Sequence, residues 1–244
     1  MGVVDQRKGF TLIELLVVIA IISVLATLAT AALLRGRAAG DKAAAASQMR
    51  QIGAGLLTYC GENDGYLPGP LKVGQGALYD PAIPDQLATR LGTYLGVTDL
   101  ENKVVVPVFL PPAYVRELKL ADPADSQPYF LNMSTRSADG TQAFPWGDSK
   151  KGNLVPLPLA NVPDGAWVLA DADQLLAEVG EQPWANRTPK RIIHAPERLA
   201  LYFDGSVSGI SQKELEDAPP SGGGPGPGPG GGPPPPPPPP PPRK

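Results

Sequence analysis

The sequence predicts an α+β protein: a long N-terminal α-helix packed on a small, mainly antiparallel β-sheet head. Three observations lead there. Residues 15–34 form a run without charge or proline, and about 20 residues at 1.5 Å each span the ~30 Å core of a bilayer. A second stripe, Ala45, Met49, Ile52, Leu56 and Tyr59, continues at alternating steps of four and three, the spacing of one helical face. Beyond residue 63, short β-branched and aromatic runs alternate with glycine- and proline-rich turns. The expected organisation is a leader at 1–9, a transmembrane helix half at 10–34 and an amphipathic helix half at 35–63. A globular head follows at 64–217, then a disordered Gly/Pro-rich tail at 218–244.

Composition narrows the function classes. The chain has 244 residues and a net charge of -3, and its few Lys and Arg are scattered, so no nucleic-acid partner is expected. One cysteine, Cys60, excludes an internal disulfide, and one histidine, His194, excludes a His-rich metal cluster. With 28 Gly and 31 Pro the chain is loop-rich, as an exported domain with a modest core would be.

The apolar run carries one anomaly, the carboxylate of Glu14 near its head. A secretory signal peptide with Ala29-Thr30-Ala31 as its cleavage site is one reading, opposed by the acid and by the length of the run. A plain signal anchor is another, in which Glu14 costs about 2.5–3.5 kcal/mol at the bilayer centre and less near the edge. Arg7 and Lys8 flank one end and Arg35 and Arg37 the other, so charge counting leaves orientation open.

Gly9-Phe10-Thr11-Leu12-Ile13-Glu14 followed by the apolar helix closely resembles the N-terminal signal of type IV pilins and type II secretion pseudopilins. That resemblance implies cleavage by prepilin peptidase between Gly9 and Phe10, and N-methylation of Phe10. It makes Glu14 the fifth residue of the mature chain, an assembly residue whose carboxylate meets the Phe10 amine of a neighbouring subunit. It also implies a single-pass inner-membrane protein with its head in the periplasm, touching lipid and then other pilin or pseudopilin subunits. Ala31 stands where many pilins carry a kink-inducing proline, and the lone cysteine departs from major pilins that close a C-terminal loop with a disulfide.

Past residue 34 the alanine-rich stretch 38–47 favours helix, weakened by Gly36, Gly40, Gly53 and Gly55. Turn formers at 61–70 end it, and Cys60 is expected as a small buried hydrophobe. In the head, residues 85–95 place Leu87, Leu91, Tyr94 and Leu95 on one helical face. Residues 103–110 are strand-like, with Pro107 confining them to an edge or bulge. Residues 129–133, 167–170 and 199–203 are expected strands. The last leads through Asp204-Gly205 into 206–210, a hairpin expected to use a two-residue type I′ turn.

His194, nine residues and then Asp204-Gly205, with Pro183 to Asn186 upstream, resembles the C-terminal signature of a group of bacterial pilin-like proteins. Ser206 stands where that group commonly has a second histidine, and the resemblance carries no activity. Asp171, Asp173 and Asp204, with His194, form a weak candidate cation site suited to Ca²⁺ by their oxygen ligands; strand alternation would put Asp171 and Asp173 on one face. Otherwise no cofactor or metal is expected. No nucleophile elbow, Walker loop, HExxH or CxxC is present, so the chain does not read as an enzyme. The tail's ten consecutive prolines from Pro233 favour a stiff polyproline rod. The function expected is a filament-forming pseudopilus or pilus-like subunit. The alternatives are a monomeric membrane-anchored protein whose head binds a ligand or wall component, and an exported hydrolase.

Overall fold

The computed structural model describes residues 12–119, 122, 125–136, 141–147 and 155–217. The leader, with Gly9 and Phe10, and the tail at 218–244 lie outside the described residues.

One helix, α1, runs unbroken over Leu12–Glu62, about 77 Å at the usual rise. It passes through Ala31, Gly36 and Gly40 without interruption. Asn63 and Gly65 donate their N–H groups to the Cys60 carbonyl, and both Asp64 (φ 53°) and Gly65 (φ 80°) adopt the left-handed conformation that stops the helix. The predicted stripe is the packed face: Ala45, Met49, Ile52, Leu56 and Cys60 are buried and Tyr59 half-buried.

The strands are β1 (Gly74–Gln75), β2 (Leu78–Tyr79), β3 (Val104–Val105), β4 (Tyr129–Leu131), β5 (Thr135–Arg136), β6 (Gln142–Ala143), β7 (Trp167–Asp171), β8 (Arg198–Tyr202) and β9 (Val207–Ile210). Five make the main sheet, in the order β1-β4-β7-β8-β9 with every pairing antiparallel. The pairs β2-β3 and β5-β6 are small side ribbons. Helices α2 (Leu87–Arg90), α3 (Pro112–Leu118), α4 (Ala177–Gly180) and α5 (Gln212–Asp217) are short.

Strand alternation divides the core into two layers. Tyr129, Leu131, Leu169, Leu199 and Leu201 face α1 and pack with Met49, Ile52 and Leu56. Phe130, Ala170 and Ala200 point the other way, against Leu176, Val179, Ile210 and Leu215. A register shift between Trp167 and Leu169 lets Trp167 join the far layer beside Phe130, their rings 5.2 Å apart.

Three local expectations are corrected. Residues 85–95 are not one helix: α2 stops at Arg90 and a tighter 3₁₀ turn takes Gly92–Leu95. Gly92 is where the change falls, and a Cβ there would lie 2.6 Å from the Tyr79 ring. Residues 103–110 give only the two-residue β3. Pro107 then opens a 3₁₀ turn over Pro107–Phe109, a position suited to its fixed φ and missing N–H. The β8-β9 turn is not type I′, since Asp204 does not adopt positive φ. Gly205 (φ 83°) donates to Tyr202, and Tyr202 donates back to Ser206. This is the three-residue loop in which a type I turn ends on a left-handed glycine.

Candidate functional site

Two regions hold residues singled out by the sequence. The first is the lower part of α1. From Leu12 to Gly40 every residue is exposed, including Ile19, Ile22, Leu25, Leu28, Leu33 and Leu34. A contiguous apolar cylinder of this size is costly in water, and it is long and apolar enough to cross a membrane. Ser23, Thr27 and Thr30 return their hydroxyls to carbonyls one turn back, so they add no unsatisfied donor to this surface. Glu14 stands in the first turn of α1, where a carboxylate is favoured by the helix dipole.

The second region is the bottom of the head. His194 is buried, and its Nδ1 lies 2.7 Å from Asp171 Oδ2. The same oxygen accepts from the Leu199 N–H at 2.9 Å. Asp171 is therefore an acceptor, and the proton between it and the ring belongs on Nδ1. Asp171 shares strand parity with Leu169, so it lies on the α1 side of the sheet. His194 Nε2, Asp171 Oδ1 and the Tyr129 hydroxyl are buried without a protein hydrogen-bond partner. Burial, with the Asp171 charge adding to it, pushes the Tyr129 phenol well above its usual range.

His194 lines a crevice of about 310 Å³ between α1 and the head. Leu34, Arg37, Ala38 and Asp41 of α1 form one wall; Arg116 and Glu117 of α3, and Arg191, form the other. Arg116 pairs with Asp41, which ties α3 to α1. Arg191 grips Glu117 through Nε (3.0 Å) and Nη2 (2.8 Å), and that bidentate contact holds the Glu117 carboxyl below its ordinary range.

The four candidate cation ligands do not converge. β7 ends at Asp171, and Asp173 turns to cap the Leu175 N–H and to meet Arg198 in a buried bidentate pair at 2.7 and 3.0 Å. Arg198 shares parity with Ala200, facing the far layer, and its Nη1 also donates to Gln212 of α5. Asp204 sits beyond the opposite end of β8 from Leu199, roughly 16 Å along the strand, where it caps the Ser206 N–H. Among the described residues no three His, Cys, Asp or Glu side chains are grouped to hold a metal ion. The expectation that alternation aligns Asp171 with Asp173 failed because the strand stops between them.

Sequence reasoning found His194 and Asp171 but not Arg37, Arg116, Arg191 or Arg198. Lone arginines carry no local signal; Arg116, Arg191 and Arg198 each acquire their role from a partner at least fourteen residues away, and Arg37 from the crevice it lines. Arg198 is nearly fully buried, and only its strand-like surroundings hinted at that.

Residues 5–30 match the family described as the prokaryotic N-terminal methylation motif. The chain thus carries a type IV pilin-like prepilin signal, and the matched residues run into the exposed lower part of α1. No curated protein and no solved structure matches the chain. The matched segment ends at residue 30, so the C-terminal likeness around His194 and Asp204-Gly205 rests on those residues alone.

Proposed function

We propose that this protein is a pilin-like structural subunit, made as a precursor and assembled into a type II secretion pseudopilus or a type IV pilus-like filament. Prepilin peptidase removes residues 1–9 and methylates Phe10. The 10–34 segment holds the subunit in the inner membrane with the head on the periplasmic side. Glu14 then aligns each incoming subunit by meeting a neighbour's Phe10 amine, since a carboxylate in an apolar surround needs a partner.

One observation carries this reading: a single helix, under an N-terminal methylation motif, that is exposed and apolar over its lower half and locked to the head over its upper half. Such a helix suits both lipid and the packed centre of a filament. The test is mass spectrometry of the protein's N-terminus. Loss of nine residues and a methyl group on Phe10 is the expected result, and Glu14→Ala should keep cleavage while impairing assembly. An intact Met1 favours a plain membrane-anchored binding protein, the second reading, which the crevice at His194 supports.

A further inference from the structure

We infer that the crevice between α1 and the head is a binding site for a phosphate oxyanion, and that its ligand is the phosphodiester of an anionic membrane lipid. The inference rests on the membrane-anchored reading of α1 for the source of the ligand, and on the head's own geometry for its chemistry.

The lining decides the charge. Arg37, Arg116 and Arg191 meet two carboxylates, Asp41 and Glu117. Arg116 is committed to Asp41 and Arg191 to Glu117, which leaves Arg37 as the guanidinium in this lining without an ion pair among the described residues. Guanidinium forks match phosphate oxygens better than any other side chain does, and this excess of positive charge disfavours a metal ion. At the floor stands His194, buried, with Nδ1 held by Asp171 and Nε2 unpartnered. A buried polar atom without a partner is costly and requires an explanation. An oxyanion held by Arg37 supplies one, by bringing to Nε2 an acceptor for a ring proton, with the Asp171 carboxylate fixing the ring from its other side.

The position decides the source. Leu34, the last residue of the apolar run, lines the same crevice as Arg37, one turn further on. With residues 10–34 in the bilayer, the crevice opens at headgroup depth, within about 10 Å of the hydrocarbon edge. Leu34 would meet the glycerol and first acyl carbons and Arg37 the phosphate. Basic pockets at this depth are suited to anionic headgroups.

His194 is the single histidine of the chain, so ring-¹⁵N-histidine labelling gives one imidazole to read. The full chain in dodecylmaltoside micelles would be titrated with dihexanoyl-phosphatidylglycerol, dihexanoylglycerol and inorganic phosphate. The expected result is a saturable shift of the Nε2 resonance with the phospholipid, at least ten-fold weaker in Arg37→Gln and absent with dihexanoylglycerol. Arg37 is exposed, so its replacement should leave the fold intact, and near-UV circular dichroism would check this. No saturable shift, an equal response to dihexanoylglycerol, or unchanged affinity in Arg37→Gln overturns the proposal. Inorganic phosphate binding as tightly as the lipid keeps the oxyanion site and overturns the lipid as its source. The readout needs neither cleavage nor assembly, so its failure is distinct from failure of the filament reading.

Discussion

From Leu12 to Gly40 every residue of α1 is exposed, with Leu34, Arg37 and Ala38 lining a crevice beside the head; above Asp41, the same helix supplies the centre of the head's core. The backbone is continuous across the boundary, and both halves are rich in alanine and aliphatic residues. What differs is the distribution of those residues. In 15–34 apolar side chains surround the whole helix, so no single protein face could cover them, and cover must come from lipid or from several neighbouring helices. In the upper half they narrow to a stripe, with Lys42, Arg50 and Gln51 on other faces, and the main sheet together with the 3₁₀ turns at Gly92–Leu95 and Pro107–Phe109 covers it. Helix formation is common to both halves; the environment each half requires is set by the width of its apolar surface.

The largest expected effect comes from one substitution made in each half. Ile52→Asp places an uncompensated carboxylate among Met49, Leu56, Leu169 and Leu201, and should cost more than about 4 kcal/mol, enough to unfold the head. Ile22→Asp should leave head stability within about 0.5 kcal/mol, because Ile22 is exposed, and instead penalise membrane insertion by about 2.5–3.5 kcal/mol. Thermal melting followed by near-UV circular dichroism in micelles measures the first effect, and membrane fractionation the second. Equal melting temperatures for the two variants would erase the distinction between the halves.

A smaller effect separates cover by the head from anything intrinsic to the helix. Cys60 closes the buried stripe, and burial pushes its thiol up to about 11 from the 9.0 of a free thiol, taken as the unfolded value. Between those values the unfolded chain has lost the proton and the folded one keeps it. The group's stabilising contribution is thus full below the unfolded value and is lost as pH rises toward the folded one. Relative to Cys60→Ser, the native head should lose at most about 2 kcal/mol as pH rises from about 9 to 11, at no more than about 1.4 kcal/mol per unit. Iodoacetamide at pH 8 should spare Cys60 and label a cysteine placed at exposed Ala54 in a Cys60→Ser background. Rapid labelling of native Cys60 would show that the head does not cover the end of α1.

The sequence made α1 legible nearly to the residue, because periodicity reports which face of a helix is covered, and the cluster at 61–70 marks where it stops. Four of the five strands of the main sheet were also legible, from short aromatic and aliphatic runs and one Asp-Gly turn. What escaped was decided by partners distant in sequence. The two carboxylates after Trp167 look equivalent in one dimension, yet His194 claims Asp171 and Arg198 claims Asp173 from opposite sides of the sheet. Gly92 and Pro107 were visible as breakers, but which structure would follow each break depended on the Tyr79 ring and on the Ala77 carbonyl that accepts from Val106.

The glycines of α1 provide the finest test, since four of them look alike in the sequence and only two meet the head. A Cβ on Gly53 would stand 2.9 Å from Leu201 Cδ1, and one on Gly55 3.0 Å from Leu95 Cδ2. Gly36 and Gly40 have nothing within 4 Å. Alanine in place of glycine inside a helix gains about 0.5–1 kcal/mol from propensity, so Gly36→Ala should realise that gain in helix content. It should not change the melting of the head. In Gly53→Ala the same gain is opposed by displacing Leu201 within a packed layer, which costs about 1–3 kcal/mol. The net change there is expected to be a loss of about 1 kcal/mol, with the Gly55→Ala loss smaller because its contact is longer. The sign is the informative quantity. A stabilised Gly53→Ala head would mean that Leu201 moves freely and that close approach of helix to sheet is not what places glycine in the upper half.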